Sequence, residues 1–428
     1  MKILFIAENF APDSVIGAVR IIKFAKYLYH FGNDVSVLCS AKCIGKRDDT
    51  LLKELQGINI YRFDEDDGDK KATPISKRVG EDKESVLCYQ AKMILKKTYK
   101  QTLYPIKYFT SNKEMKNNII EYYNSNLVAE KYDVLFATFS PLATVMAAME
   151  ITEKSRAKLI IDFRDLMDGI NYPFFIRKKN YSIQRKIIER SDIALTVSEG
   201  QKNILQKKYG NLADKVIVLN NGYDGERGYI ETAYDCAEFV IAYTGSLYTG
   251  RRNLTPLLKA ISKISERYAY KFRVIYAGTE SKELYRQLAL YHLEGILDDR
   301  GVLSRAEVEN VQCESDIFLV ATWNTKNEQG IMTGKFYEGI RIGKPIVVLV
   351  NGDEPGSDLY KLYKEYDYGY CYEECRDDGF DGLYNFILKK CQEKEQTGHI
   401  VYHQSEALEK RFQYKSLARK LEGILQQL

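Results

Sequence analysis

Long apolar stretches are missing from this chain: no uninterrupted apolar run exceeds five residues. A helix needs about 20 such residues to cross a bilayer, so a transmembrane helix is not expected. The opening Met-Lys-Ile-Leu-Phe-Ile lacks the apolar core and small-residue cleavage site of a signal peptide. Cysteine is sparse, with 8 in 428 residues, which excludes a disulfide scaffold. The pairs Cys39/Cys43 and Cys371/Cys375 lack the Cys-x-x-Cys spacing and nearby histidines of a zinc site, and the 4 histidines form no metal motif. Charge of one sign is also missing: the net charge of +4 does not support a nucleic-acid binder. A reducing cytoplasm is the expected location.

What is present is periodicity. Residues 2–7 read as a buried strand, residues 17–31 carry helical spacing, and residues 34–39 read as a second strand. A strand, helix and strand in so short a span require a parallel crossover and hence a parallel sheet. Further strands are expected near 57–63, 132–138, 158–162, 193–198 and 215–219. A second series starts at Phe239: helix 254–268, strand 272–277, helix 281–292, strand 295–300, helix 304–312, strand 316–322, helix 334–342, strand 345–350 and a helix near 381–393. The turn residues of Asn221-Gly222-Tyr223-Asp224-Gly225 mark the break.

The expected architecture is therefore α/β, with two tandem Rossmann-like, doubly wound domains facing a cleft. The first spans 1–225 with a charged insertion at about 64–118, and the second spans 226–403. A helical segment at 404–428 is expected to pack back on the first domain. Within the insertion, residues 92–118 hold seven lysines against one glutamate, interleaved with aromatic and aliphatic residues. Two readings apply: a solvated helix face whose other side is in the core, or a surface that meets anionic lipid headgroups.

Four segments at strand ends could carry chemistry, because ligands of open α/β sheets bind beyond the carboxyl ends of the strands. The loop after the first strand lacks Gly-x-Gly-x-x-Gly, which does not support a nicotinamide or flavin site, but it places Gly17 where a helix begins and Arg20 one turn later. The segment Thr244-Gly245-Ser246-Leu-Tyr-Thr-Gly250-Arg251-Arg252 joins two glycines to an arginine pair suited to a phosphate. In Glu328-Gln-Gly330-Ile-Met-Thr333-Gly334-Lys335-Phe-Tyr-Glu338, a loop enters a helix whose first amides and Lys335 would face an anion. Glu338 lies one turn along, on the face of Lys335, where a carboxylate can accept two hydrogen bonds from a ribose diol. Asp162-Phe-Arg164-Asp165-Leu166-Met-Asp168 sets three carboxylates and an arginine beyond another strand. The run Asp64-Glu-Asp-Asp67 reads as solvated charge, not as a metal site.

Taken together, these segments resemble the GT-B-fold glycosyltransferases, in particular family 4 (glycosyl transferases group 1), over nearly the whole chain. The specific match is Gly334-Lys335-Phe-Tyr-Glu338 with Gly343-Lys-Pro345. The chain departs from the common pattern at Gly330, where many members carry a first glutamate, and at Ser246, where many carry arginine.

The resemblance implies a retaining, metal-independent sugar transfer from a nucleoside diphosphate sugar to a saccharide or lipid-linked acceptor, in bacterial surface polysaccharide or glycoconjugate synthesis. It requires no cofactor and is compatible with work at the inner face of the cell membrane. It assigns the donor diphosphate to Gly17, Arg251, Arg252, Thr333, Gly334 and Lys335, and the donor ribose to Glu338. Catalysis falls to Asp162, Arg164 and Asp165, with Arg20 on the acceptor side. The rival readings are a sugar-nucleotide epimerase of the same fold and a silent subunit that supports a partner transferase.

Overall fold

In the computed structural model, the described residues are 1–45, 47–64, 101–170, 172–225 and 238–428. Contacts divide the chain into two units. The first comprises Met1–Val197, Leu205–Leu219 and Leu417–Leu428, and the second comprises Ser198–Ile204 and Asn220–Ser416.

Among the described residues, the first unit contains seven parallel strands: β1 Lys2–Ile6, β2 Asp34–Cys39, β3 Asn59–Arg62, β4 Val134–Phe139, β5 Lys158–Phe163, β6 Ile193–Thr196 and β7 Val216–Val218. Their order is β3-β2-β1-β4-β5-β6-β7, a doubly wound arrangement that reverses direction between β1 and β4. Every residue of β4 is buried, as expected for a parallel sheet covered by helices on both faces. Leu4, Ile6, Leu135, Ala137, Ile161 and Phe163 share one apolar core.

The second unit repeats the plan with β8 Glu238–Thr244, β9 Lys271–Ala277, β10 Leu297–Asp299, β11 Ile317–Trp323, β12 Ile346–Asn351 and β13 Gly369–Glu373. The order is β10-β9-β8-β11-β12-β13, so direction reverses between β8 and β11. The helix Thr255–Tyr268 shows why the crossovers form. Leu257, Leu258, Ile261 and Ile264 recur on one face and are buried, and proline stands in the first turn, where its missing N–H costs nothing. The helix Arg305–Glu314 begins with a reciprocal cap: Glu307 donates its amide to the Ser304 hydroxyl, and its carboxylate accepts the Ser304 amide.

The expected strand and helix series is present, with ends shifted by a few residues. Two further elements, the helix Asp358–Tyr366 and β13, complete the second unit. Of the expected insertion, residues 65–100 lie outside the described residues, and so do 226–237 at the start of the expected second domain. The insertion continues into a long helix, Leu103–Asn126, on which Pro105, Ile119 and Tyr123 are buried. The chain ends in two helices, Glu406–Phe412 and Tyr414–Leu425. No described helix is long and apolar enough to cross a membrane.

Candidate functional site

In the first unit, the residues expected from the sequence converge at the carboxyl ends of β1, β4 and β5. Gly17 lies in the first turn of the helix Ile16–His30. A Cβ there would come 2.5 Å from the guanidinium of Arg164, which explains the glycine. That guanidinium donates to the carbonyls of Phe139 at 3.0 Å, Ser140 at 3.2 Å, and Gly17. Arg164 thus ties two strand ends to a helix start.

Arg20, one turn further on, forms a two-pronged pair with Asp162, Nε to Oδ2 and Nη2 to Oδ1, both at 2.9 Å. Nη2 also donates to the Leu219 carbonyl at 2.9 Å. The side chains of Arg20 and Asp162 are 1% and 0% exposed. Asp162, expected as a catalytic group, and Arg20, expected to face an acceptor, are therefore committed to each other inside the unit. The reason is chemical: a buried charge persists only when it is paired and hydrogen-bonded, and here each satisfies the other. Asp165 is exposed, whereas Asp168 is buried and pairs with Lys208 at 2.5 Å. Glu8, at the end of β1, was not singled out from the sequence. Burial, with Asp64 nearby, raises its pKa against the pull of Arg164.

The second unit assembles a tighter constellation beyond β8 and β11. The loop after β8 is strained, since Gly245 has φ +124° and the non-glycine residues Tyr248 and Thr249 both have φ 52°. Such residues cost on the order of 1–3 kcal/mol each unless their surroundings hold them. The holder is Glu280. Its carboxylate accepts the amides of Leu247 at 2.6 Å, Tyr248 at 3.0 Å and Thr249 at 2.8 Å, and the Ser246 hydroxyl. Burial alone would raise the Glu280 pKa, but the Ser246 hydroxyl and these amides hold it below the usual carboxylate value. Nothing in the sequence pointed to Glu280, which lies some 30 residues from the loop it shapes.

This loop presents Arg251 and Arg252. The Arg251 guanidinium lies 4.0 Å from the ring centroid of Trp323 and pairs with Glu328. Arg252 lies 4.5 Å from the Tyr248 ring, and its Nη1 donates to the Ser246 carbonyl at 2.9 Å. Facing the loop is the start of the helix Gly334–Ile342, with Thr333 at its cap position. Lys335 runs past Gly245, where a Cβ would stand 3.7 Å from its Cε. Its ammonium donates to Glu338 at 2.9 Å. Gln312 donates from one nitrogen to the same Glu338 oxygen at 2.7 Å and to the Thr244 hydroxyl at 3.0 Å.

The structure therefore brings Gly245, Arg251, Arg252, Thr333, Gly334, Lys335 and Glu338 to one end of one sheet, and it adds Gln312, Trp323 and Glu328. Among the described residues, three buried polar atoms there have no hydrogen-bond partner: Arg252 Nε, Trp323 Nε1 and Thr333 Oγ1. Buried polar groups are normally satisfied, so these atoms fit a polar ligand. Trp323 is the chain's only tryptophan, and its place at a strand end was a signal the sequence offered.

Gly330 has a local cause. Its φ is +72°, and a Cβ would fall 2.1 Å from Ser198 Oγ and 2.7 Å from the Gln201 amide nitrogen. Gly330→Glu is therefore expected to lower the thermal midpoint, because a side chain in this conformation and space costs more than about 1 kcal/mol. A melt that matches the wild type would contradict this.

No family model matches the chain, and no curated protein matches it in sequence. Solved structures match in fold. HepE from Anabaena, in complex with UDP, aligns with a TM-score of 0.60 and 15% identity over 100% of both chains. The lipopolysaccharide outer core galactosyltransferase WaaB aligns with a TM-score of 0.58 and 13% identity over 100% of both chains. The N-terminal domain of Candida albicans trehalose-6-phosphate phosphatase aligns with a TM-score of 0.59 and 9% identity, over 100% of this chain and 96% of that one. The chain thus has the two-domain α/β fold of GT-B glycosyltransferases.

Proposed function

We propose that the second unit binds a nucleoside diphosphate sugar and that the protein transfers the sugar to a saccharide or lipid-linked acceptor, in the manner of family 4 and with retention. The observation that carries this reading is the meeting of the Gly245 loop with the cap of the helix Gly334–Ile342. There, cations, a helix N-terminus and three unpartnered polar atoms share one sheet end. HepE, which has the same fold, has been seen with UDP and with UDP-glucose, which supports this donor class.

Glu338 then exchanges its bonds to Lys335 and Gln312 for the ribose diol. Lys335, Arg251, Arg252 and the amides at 333–334 turn to the diphosphate. Cleavage of the sugar–phosphate bond builds negative charge on the departing phosphate. Fixed cations and helix dipoles stabilise that charge in the transition state more than in the ground state. Exposed Asp165 is the acidic group beyond β5 that remains open to an acceptor. Arg164, with Gly17 beneath it, and the Arg20–Asp162 pair hold that end of the first sheet in shape.

In the ligand-free site, three cations (Arg251, Arg252, Lys335) stand among three carboxylates (Glu280, Glu328, Glu338). Diphosphate must displace Glu328 from Arg251. Glu328→Gln is therefore expected to tighten nucleoside diphosphate binding by about fivefold, close to 1 kcal/mol for a partly exposed pair. Calorimetric titration reads this directly, and weaker binding by the variant would count against the assignment.

The functional test is incubation of the full chain with UDP-, GDP- and other activated sugars. Transfer chemistry predicts slow release of nucleoside diphosphate, accelerated by an acceptor. Conversion of one nucleotide sugar into another would establish the epimerase instead, and no binding of any nucleotide sugar would point to a silent subunit.

A further inference from the structure

A second feature is in the first unit. The helices Leu103–Asn126 and Phe174–Arg190 leave between them an open groove of about 770 Å³. Its floor is apolar, from Pro105, Phe109 and Ile183, and its rim carries Lys178, Lys179 and Lys186. Among the described residues, no acidic residue lines it. Around the groove, large apolar side chains stand in water: Leu103 is 58% exposed, Ile106 65%, Phe174 63% and Phe175 60%. Phe174 and Phe175 pack edge to face with centroids 5.7 Å apart, and Lys179 lies 4.3 Å from the Phe109 ring.

Single exposed apolar residues are ordinary, but a cluster of four on adjoining helices marks an interaction surface. The charge around the cluster identifies the partner. The helix Phe174–Arg190 carries Arg177, Lys178, Lys179, Arg185, Lys186 and Arg190 against Glu189 alone. Glu189 is taken up by Arg185 at 3.0 Å. A protein partner of matching shape would need a continuous acidic rim around an apolar centre. A bilayer with anionic headgroups offers that arrangement everywhere on its surface, with apolar depth below the charge.

We propose that this face docks on an anionic lipid bilayer, with Phe174, Phe175, Leu103 and Ile106 entering the interface and Lys178, Lys179 and Lys186 meeting the headgroups. The surface overlaps the segment 92–118 expected in the sequence, which supplies Leu103, Pro105, Ile106 and Phe109. Residues 92–100 of that segment lie outside the described residues, and half of the present surface comes from a helix that begins at residue 174. The bilayer and the nucleotide site use different residues, so the docking reading stands apart from the proposed chemistry.

The experiment is cosedimentation of the full chain with vesicles of phosphatidylcholine, with and without phosphatidylglycerol. Two variants accompany the wild type: Phe174→Ser/Phe175→Ser, and Lys178→Glu/Lys179→Glu/Lys186→Glu. All five side chains are exposed, and circular dichroism checks that each variant folds. The wild type is expected to pellet with phosphatidylglycerol vesicles at low salt and to be released as salt rises. The lysine variant is expected to bind roughly 100-fold more weakly, at about fivefold for each cation. The phenylalanine variant is expected to lose binding at all salt concentrations.

Three results would overturn the proposal. The first is a wild type that stays in the supernatant with every vesicle, and the second is a pair of variants that pellet as it does. The third is a sedimentation-equilibrium mass that falls on Phe174→Ser/Phe175→Ser, which would assign the face to a second copy of the chain.

Discussion

Asp162→Ala is expected to destabilise the first unit by about 3–5 kcal/mol, because it strands a buried guanidinium. Arg20 is 1% exposed, and two of its bonds end on Asp162. A neutral acceptor such as the Leu219 carbonyl cannot replace the carboxylate. Urea unfolding of the full chain measures the loss, and a midpoint within error of the wild type would contradict the structural role. A double replacement, Arg20→Met with Asp162→Leu, removes both charges. It should recover much of the loss, since an apolar pair of similar volume often matches a buried ion pair in stability. A catalytic Asp162 predicts a different pattern, with turnover abolished and the unfolding midpoint unchanged.

The second large effect concerns Glu338. Its carboxylate collects Lys335 at 2.9 Å and Gln312 at 2.7 Å in the ligand-free site. Glu338→Ala removes the proposed ribose acceptor. It also leaves Lys335 and Gln312 without their shared anchor, although the freed ammonium partly compensates through the diphosphate. The expected net effect is roughly 100-fold weaker nucleoside diphosphate binding, equivalent to two hydrogen bonds to a charged group at about 1.5 kcal/mol each. Stability should change little, because Glu338 is half-exposed, with 38% of its side chain accessible. Asp162→Ala and Glu338→Ala thus separate cleanly, the first acting on folding and the second on binding.

The contrast shows what the sequence could and could not reveal. Periodicity exposed most strands, because buried parallel strands such as β4, β11 and β12 are nearly continuous apolar runs. It did not expose β13, where Gly-Tyr-Cys-Tyr-Glu buries only alternate residues on a sheet edge. Local spacing placed Lys335 and Glu338 on one helical face, and the ion pair lies there. Spacing is silent about partners far along the chain. Arg20 meets Asp162 across 142 positions, and Gln312 meets Glu338 across 26. Charged residues at strand ends looked alike as candidates, and burial is what separates the Arg20–Asp162 pair from exposed Asp165. Gly330 looked like the loss of a functional glutamate, but Ser198 and Gln201 supply a packing reason for the glycine.

The central claim is that the sheet end gathering Gly245, Arg251, Lys335 and Glu338 holds a nucleoside diphosphate. Calorimetric titration of UDP and GDP into the full chain and into Glu338→Ala tests it most directly. The account predicts saturable binding of at least one of these nucleotides to the wild type and roughly 100-fold weaker binding to the variant. Equal binding to both chains, or no binding to the wild type, would contradict it.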